Sequence, residues 1–273
     1  MTDADLARTF RVAHVHASAS SERDERVAHE EPLEIRVRGA SVAVLMRTPG
    51  NDEELARGFA LTEGIARNDQ IESVRHCTSA PDPESEDNVI DVNLRADVVF
   101  DLEKHRRHTF ASSSCGVCGK ATIENACRVA APLVAKSDGV RVAASTITRM
   151  PEQLREAQHG FASTGGLHAA ALFTSAGALL LAREDVGRHN AVDKVIGANA
   201  LLHGNADARV LFVSGRVSFE LVQKAVAARI AIIAGISAPS SLAVRMARAL
   251  GLTLVGFVRG SSMNVYAHPV RIE

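Results

Sequence analysis

The chain has 273 residues, of which 46% are hydrophobic and 23% are charged, so it can bury a sizeable core as an ordinary globular protein. Its formal net charge of -1 gives no overall attraction to nucleic acid or to an acidic membrane surface. No stretch approaches the ~20 uninterrupted apolar residues of a membrane span, and the first residues lack the apolar run of a signal peptide. We therefore expect a cytoplasmic protein whose partners include neither nucleic acid nor a membrane.

The N-terminal region divides into a poorly patterned arm and several predicted strands. Residues 1–30 carry mixed charges without sustained periodicity, which predicts a mobile or loosely attached arm. Apolar and charged residues then alternate over 33–38, and an apolar run returns over 42–46, which predicts a hairpin with one buried face. Further strands are predicted over 72–75 and 89–94.

One helix is predicted among these strands, and together they form a smaller α+β part that we place at residues 31–110. Asn51 is followed three residues later by Glu54, which is the spacing of a capping box, and apolar residues then recur at helical spacing up to Gly64. The sequence therefore predicts a helix that begins after Asn51, with the Asn51 side chain as its cap.

A loop with two cysteines opens the main domain, which we place at residues 111–273. Cys115 and Cys118 stand three residues apart among serines and glycines, and Lys120 and a predicted helix over 121–131 follow them. A thiol reacts as its thiolate, and a neighbouring thiol, a cation and a helix N-terminus could each lower the thiol pKa. This pattern favours a pair of reactive thiols.

The same C-x-x-C spacing is also the commonest half-site for structural zinc. A closed zinc site would need two more ligands, and the remaining cysteines, Cys77 and Cys127, form no second pair. His168 and His189 are the histidines that could complete such a site. The residues alone leave both reactive thiols and structural zinc open.

A glycine-rich motif precedes the C-terminal half. A helix is predicted over 151–158, with Pro151 in its first turn, and a strand is predicted over 169–173. Between them, Thr164-Gly-Gly-Leu-His168 could bring backbone close to a ligand, with His168 at the mouth of the strand. Taken by itself, the motif favours the alternative, a hydrogen-bonded histidine beside an ordinary tight turn.

From residue 178 onward, short apolar runs alternate with helical stretches, which predicts βαβ units and a buried, largely parallel sheet. The predicted strands are 178–182, 210–213, 230–234 and 252–257, and the predicted helices are 190–202, 219–229 and 240–250. Ligands of such sheets bind beyond the carboxyl ends of the strands, so the turns at those ends are the candidate site.

These turns are polar and rich in glycine. They lie at 183–190, 214–218, 235–241 and 259–262. Glycines, hydroxyls and arginines at strand ends can hold phosphates through backbone N–H groups, helix N-termini and charge-assisted hydrogen bonds. None of the turns matches a Walker A loop or a G-x-G-x-x-G fingerprint. Four such turns at one edge predict a site for a large anionic ligand.

Charged side chains in and near these turns have different expected roles. Arg216 and Lys224 would add positive charge to the predicted anion site. Glu184, Asp185 and Asp193 have the placement of helix caps or of a solvated face rather than of acid–base catalysts.

Five motifs together resemble one known family. They are Ser-Cys-Gly-Val-Cys-Gly at 114–119, Thr-Gly-Gly-Leu-His-Ala-Ala at 164–170, Glu-Asp-Val-Gly-Arg-His-Asn-Ala-Val-Asp-Lys at 184–194, Ser-Gly-Arg-Val-Ser-Phe-Glu at 214–220, and Gly-Phe-Val-Arg-Gly followed by Asn-Val-Tyr near the C-terminus. In this order, from about residue 30 to the end, they resemble the formate dehydrogenase accessory sulfurtransferases of the FdhD/NarQ family.

The resemblance implies a cytoplasmic sulfurtransferase. Such a protein takes sulfur from a cysteine desulfurase and passes it to the molybdenum cofactor in its bis(molybdopterin guanine dinucleotide) form, before that cofactor enters formate dehydrogenase. The cofactor would be bound transiently, and neither a permanent cofactor nor a metal site is implied. The implied fold is α/β, with a mixed sheet sandwiched by helices, similar to the cytidine deaminase-like fold.

The resemblance also implies site residues. Cys115 looks like the cysteine that carries the persulfide, and Cys118 looks like its partner, which either displaces the sulfur or tunes its neighbour. The segment that resembles the cofactor-contacting segment of the family consists of Phe257, Val258, Arg259, Gly260, Ser261 and Ser262. Its side chains vary within the family, so we expect contacts from its backbone.

Three other functions fit parts of the sequence. A zinc deaminase would share the implied fold, but Ala170 stands where that enzyme needs its general acid/base Glu. A thioredoxin-like oxidoreductase would place its C-x-x-C after an early strand, beside an aromatic residue. A non-catalytic chaperone of the molybdenum cofactor, with Cys115 and Cys118 as a structural or redox pair, is the main alternative. Apolar sheet edges and helix faces would suit a homodimer.

Overall fold

The structure, a computed structural model, describes residues 6–77, 87–101, 132–133, 139–202 and 207–273. The cysteine loop with Cys115 and Cys118, and the helix predicted over 121–131, lie outside these residues. Within them the strands form a two-stranded, a four-stranded and a six-stranded sheet. No helix of the described part combines the length and the apolar character needed to cross a membrane.

The first sheet is an exposed hairpin of β1 (Ala7–His16) and β2 (Ala19–Ala28). The sequence predicted a mobile or loosely attached arm here; the structure has an antiparallel ribbon instead, and its mobility stays a prediction. Both faces of the ribbon are largely exposed, so its residues lack the apolar alternation that identifies a half-buried strand. Its base is anchored by the His29 amide, which donates to the Leu6 carbonyl at 3.0 Å.

The second sheet forms the smaller α+β part. Its strands are β3 (Glu31–Val37), β4 (Ala40–Arg47), β5 (Ile71–His76) and β6 (Val89–Leu94), in the spatial order β4-β3-β6-β5. These bounds confirm the predicted hairpin and the two predicted strands. One helix, α1 (Asp52–Thr62), covers one face of the sheet with apolar side chains such as Leu55 and Phe59.

The start of α1 was predicted correctly, but its capping mechanism was wrong. Asn51 is the N-cap residue in a left-handed conformation, with φ of 59°, and its side chain makes no capping hydrogen bond. Glu54, the expected partner in a capping box, forms a two-pronged ion pair with Arg183 in the main domain. The Glu54 carboxylate, which the local sequence assigned to the helix cap, therefore binds the main domain instead.

The third sheet is the centre of the main domain. Its strands are β7 (His168–Phe173), β8 (Leu179–Asp185), β9 (Val210–Val213), β10 (Ile232–Gly235), β11 (Thr253–Arg259) and β12 (Ser262–Ala267), in the order β12-β11-β10-β9-β7-β8. β9, β10 and β11 run parallel to one another, whereas β7 is antiparallel to both β8 and β9, and β12 is antiparallel to β11. The sheet is therefore mixed, as the resemblance implied, and less parallel than the βαβ pattern indicated.

Helices cover both faces of this sheet. On one face lie α4 (Arg188–Leu201), α5 (Phe219–Ala227) and α6 (Ser241–Leu250); the other face carries α2 (Ala144–Glu156), which leads into the short α3 (His159–Thr164). The sandwich of helices around a mixed sheet is confirmed, whereas the likeness to cytidine deaminases stays a prediction. β12 and α3 were not predicted from the sequence.

The helix predicted over 151–158 was placed too late. α2 begins at Ala144, and Pro151 lies inside it rather than in its first turn. Ile147, Met150 and Leu154, spaced by three and four residues, are fully buried against the sheet. This burial offsets the hydrogen bond that an interior proline removes from a helix.

Candidate functional site

The carboxyl ends of β8, β9, β10 and β11 lie at one edge of the six-stranded sheet, which we call the carboxyl edge. The register of the strands fixes this arrangement, because β8 and β9 both run antiparallel to the β7 strand between them. The prediction that four polar turns share one edge is confirmed. Two of these turns are also joined directly, since the Val217 amide donates to Ala238 and the Ser240 amide donates to Val217.

A cavity of about 300 Å³ opens at the carboxyl edge beside the N-terminus of β7. It is lined by Arg155, Gln158, Phe161, Gly165, Gly166, Leu167, His168, Ser214 and Ile236. No acidic side chain is among these lining residues, and the backbone of two glycines is exposed in its wall. The glycine-rich motif of the sequence therefore forms one side of a cavity whose polar groups can donate hydrogen bonds.

His168 sits at the mouth of β7, as the sequence predicted, and lines the cavity. Burial is the main cause that lowers its pKa below the ordinary value, and the charge of Arg188 lowers the pKa further, while Asp185 acts in the opposite direction. A Cβ at position 215 would stand 3.3 Å from His168 Nδ1, so Gly215 allows the imidazole to lie against the backbone. The lowered pKa favours the neutral imidazole, which has one donor and one acceptor nitrogen.

The cations near the edge differ in their availability. Arg216 and Arg259 are exposed in the turns after β9 and β11. Arg183 is paired with Glu54, and Lys224 is buried inside the protein, where its Nζ lies 2.7 Å from Asp193 Oδ2. The prediction that Lys224 adds charge to an anion site was therefore wrong, because its charge is neutralised in the core.

The acidic residues of this region are buried and bonded. Glu184 accepts hydrogen bonds from the Gly160 and Phe161 amides, each at 2.8 Å, and so caps α3. Of the two roles predicted for Glu184, the helix cap is therefore the one observed. Asp185 is fully buried with Lys194, and the Nζ to Oδ2 distance is 2.8 Å. A solvated face was thus wrong for Asp185, which is fully buried at the end of β8. It was also wrong for Asp193, since α4 is enclosed rather than amphipathic.

Sequence reasoning missed three members of this buried network: Thr48, Asn190 and Lys194. Asn190 Nδ2 donates to the Met46 carbonyl at 2.8 Å and to Asp185 Oδ1 at 2.9 Å. The sequence did contain one indication of this network: the polar residues of the helix at 188–201 are not confined to one face. A helix without a clear polar face is normally enclosed, so its polar groups need buried partners.

The segment 257–262 is the strand end and turn that join β11 to β12. A bulge in the β11–β12 pairing falls at this segment, and Phe257 adopts a left-handed conformation with φ of 52°. Val258 points into the core, whereas Phe257 and Arg259 are exposed, and the guanidinium carbon of Arg259 lies 5.5 Å from the Phe257 ring centre. The segment therefore presents an aromatic ring and a cation at the carboxyl edge.

The geometry of the turn favours backbone exposure. Gly260 has φ of 53°, and the Ser262 hydroxyl donates to the Arg259 carbonyl at 3.1 Å. Ser261 and Ser262 are exposed beside it. The predicted backbone contacts of this segment are sterically open, and their ligand stays a prediction.

Comparison with known proteins finds similarity along almost the whole chain. The FdhD/NarQ family matches residues 28–273. The chain belongs to the FdhD/NarQ family. The matched range begins where the exposed ribbon of β1 and β2 ends, and it includes both the carboxyl edge and the cysteine loop.

Curated relatives in the FdhD/NarQ family are similar over nearly their full length. The sulfur carrier protein FdhD of Mycolicibacterium paratuberculosis is 53% identical over 266 residues, covering 96% of this chain and 97% of that protein. The protein of the same name from Mycobacterium tuberculosis is 50% identical over 268 residues, with the same coverage of 96% and 97%. That of Streptomyces avermitilis is 47% identical and covers 96% and 94%.

A solved structure in the same family has the same fold. The crystal structure of a formate dehydrogenase accessory protein from Desulfotalea psychrophila superposes with a TM-score of 0.77 at 26% identity. The superposition covers 98% of this chain and all of the other chain, at 100%. The arrangement of the sheets described above is therefore that of an FdhD/NarQ family member.

Proposed function

We propose that this protein is a sulfurtransferase that carries sulfur from a cysteine desulfurase to the molybdenum cofactor, and that formate dehydrogenase activity requires this step. The observation that carries the proposal is the family membership, with relatives about half identical that are named sulfur carrier proteins. The relative of known structure is described as a formate dehydrogenase accessory protein. We place the protein in the cytoplasm, where thiols stay reduced.

The sulfur would travel on Cys115. Its thiolate attacks the outer sulfur of the desulfurase persulfide, the sulfur–sulfur bond of that persulfide breaks, and the desulfurase cysteine leaves as thiolate. Cys115 then holds the sulfur as its own persulfide. In the second step Cys118 attacks the inner sulfur, so that the outer sulfur leaves as a hydrosulfide equivalent and the two cysteines become a disulfide. The alternative role of Cys118 is to tune the pKa of its neighbour.

The cargo in this proposal is the cofactor in its bis(molybdopterin guanine dinucleotide) form, bound transiently at the carboxyl edge. Phe257 and Arg259 would contact its ring systems and pyrophosphates, while Gly260, Ser261 and Ser262 would offer backbone N–H groups. An aromatic face, an exposed guanidinium and open backbone amides are the groups that recognise a phosphorylated heterocycle. Exposed Arg216 supports the same assignment by adding positive charge at the edge.

The test is intact-protein mass spectrometry after incubation with a cysteine desulfurase and cysteine. Wild type should gain about 32 Da, and the adduct should disappear on adding dithiothreitol. Cys115→Ala should abolish the adduct, while Cys77→Ala and Cys127→Ala are matched controls that should retain it. A persulfide that persists in Cys115→Ala would contradict the assignment.

The same experiment separates the main alternative. A non-catalytic chaperone of the cofactor would form no adduct on any variant, and its cysteine pair would retain zinc through purification or cycle between thiol and disulfide. Metal analysis of the untreated protein therefore accompanies the mass measurement. Absence of the adduct together with bound zinc would contradict the sulfurtransferase proposal and support the chaperone.

A further inference from the structure

Two consecutive acidic residues at the end of β8 support different sides of the cavity at the carboxyl edge. Successive side chains of a strand point to opposite faces of its sheet, so Glu184 and Asp185 reach in opposite directions. Glu184 faces α3, and Asp185 faces α4. Neither residue is among those that line the cavity.

Glu184 holds the wall made by α3 and the glycine turn. Its two carboxylate oxygens accept from the amides of Gly160 and Phe161, the second and third residues of α3. Phe161 lines the cavity, and the helix ends at Gly165, which lines it as well. A helix of only six residues has few internal hydrogen bonds, so its position depends on this external cap.

Asp185 ties the turn after β8 to the smaller α+β part. Its Oδ2 accepts from the Thr48 amide at 3.1 Å and from Lys194 Nζ, and its Oδ1 accepts from the Gly187 amide at 2.8 Å. Lys194 Nζ also donates to the Thr48 carbonyl at 2.8 Å. In the register of the sheet, Asp185 lies directly opposite His168 of β7, which lines the cavity.

We propose that Glu184 and Asp185 are positioning residues for the ligand of the carboxyl edge: from adjacent positions of one strand they fix the α3 wall and the His168 wall of the cavity. Lys194 and Asp185 together bind the backbone of Thr48, which directly follows β4, and this contact anchors the turn after β8. The smaller α+β part thereby contributes to the site without touching the ligand. The inference rests on the proposed function only in taking this edge as the place where the cofactor binds.

A second buried pair provides a matched control. Asp193 and Lys224, which we call the inner pair, also join the main domain to α1, since Lys224 Nζ donates to the Thr62 hydroxyl at 2.9 Å and lies 3.3 Å from Glu63. The inner pair has the same chemistry as Asp185 and Lys194, which we call the edge pair. Although Asp193 and Lys194 are neighbours in α4, the Asp193 carboxylate bonds to Thr62 of α1 and Lys224 of α5, and neither of these residues lines the cavity.

The experiment compares three variants of the full chain: Glu184→Gln, the double variant Asp185→Asn/Lys194→Met, and the control Asp193→Asn/Lys224→Met. Replacing both members of a buried pair avoids leaving a lone buried charge, so the two double variants should both fold. Guanosine diphosphate, the nucleotide portion of the proposed cofactor, serves as the probe in calorimetric titrations. Amide hydrogen exchange is measured on the same proteins without ligand.

We expect both edge variants to raise the Kd for guanosine diphosphate by about tenfold or more, as when the groups that support a binding site are removed. The inner-pair control should stay within about twofold of wild type. In hydrogen exchange, Glu184→Gln should lose protection at residues 160–165, and the edge double variant should lose it at residues 186–190. The control should leave both segments protected.

Two results would overturn the inference. One is an inner-pair control that binds the probe as weakly as the edge variants at equal thermal stability. Weaker binding would then follow from damage anywhere between the α+β part and the main domain, and not from the loss of the edge residues. The other is wild-type affinity in both edge variants. If wild type itself binds no guanosine diphosphate, the proposed cofactor site is what fails. Hydrogen exchange then decides the positioning role: loss confined to the cavity walls supports it, and uniform loss throughout the chain refutes it.

Discussion

The smaller α+β part meets the main domain in two regions that use the same pair of residue types in different surroundings. The edge pair, Asp185 and Lys194, lies beside a cavity, and its carboxylate also accepts two backbone amides of turns. The inner pair, Asp193 and Lys224, lies between helices, beside the Phe59 ring at 5.9 Å from Lys224 Nζ.

The two regions differ in which groups the buried charges bind. At the edge they fix backbone in turns that have no regular hydrogen-bond ladder, whereas the inner pair joins helices that already satisfy their own backbone groups. The attraction within a buried ion pair often does not exceed the free energy lost on desolvating the two charges, so the pair adds little net stability. We therefore expect its main effect to be on the geometry of the groups that it binds. Three predictions test this contrast, in order of decreasing effect.

Breaking either pair from one side should have the largest effect. Lys194→Met leaves the fully buried Asp185 carboxylate without its cation, and Lys224→Met does the same to Asp193. An uncompensated buried charge costs about 3–5 kcal/mol, so each variant should lose this much free energy of unfolding in urea titrations. In each region the double variant that also changes Asp to Asn should recover part of the loss.

Recovery in the double variants is the decisive comparison for stability. Burial raises the pKa of Asp193 and the charge of Lys224 opposes this effect, so removal of Lys224 alone should raise the pKa further. Single and double variants of equal stability would contradict the view that the lone buried charge is the source of the loss.

The helix contact around the inner pair should be the next most sensitive feature. A Cβ at Gly197 in α4 would overlap the Glu54 carbonyl in α1, and a Cβ at Gly58 would overlap the Asp193 carbonyl. Because these are backbone atoms of packed helices, Gly197→Ala should separate α1 from α4 and cost about 3 kcal/mol in chemical denaturation.

An exposed glycine provides the control for that substitution. Gly39, in the turn between β3 and β4, has φ of 77° and nothing within 4 Å of an added Cβ. Gly39→Ala should therefore cost only the strain of a left-handed residue, about 1 kcal/mol. Equal losses at Gly197 and Gly39 would mean that α1 and α4 adjust freely, contrary to a rigid joint.

The smallest effect should be a pH dependence confined to the edge. Burial and Arg188 lower the pKa of His168, so the unfolded chain binds this proton more readily than the folded protein does. The resulting contribution to stability is present above the ordinary pKa of about 6.5 and is lost as the pH falls below it toward the lowered value.

His168→Gln should remove this part of the pH dependence. Urea titrations between pH 7.5 and about pH 5 would show that wild type loses more stability on acidification than the variant does. His14→Gln, in the exposed ribbon, is the control for loss of a histidine. A variant as acid-sensitive as wild type would mean that the surroundings of His168 do not lower its pKa.

Much of the fold was determined by the sequence itself. The alternation of apolar runs and helical stretches after residue 178 predicted β9 over Val210–Val213 without error and the neighbouring strands and helices within a few residues. Local patterns suffice there because β9 and β10 are buried on both faces and each turn carries glycine or a hydroxyl. The four turns at one edge followed from the same pattern.

Tertiary structure alone decided how the polar residues are used. Whether Lys224 faces a ligand or Asp193, and whether Glu54 caps its own helix or binds Arg183, depends on elements more than 30 residues away in the chain. Such pairings have no local periodicity, since a carboxylate that is buried by a distant element looks in sequence like one on a solvated face. The identity of the family was readable from its motifs, but the cavity and the two buried ion pairs depend on how elements that are distant in the chain pack together.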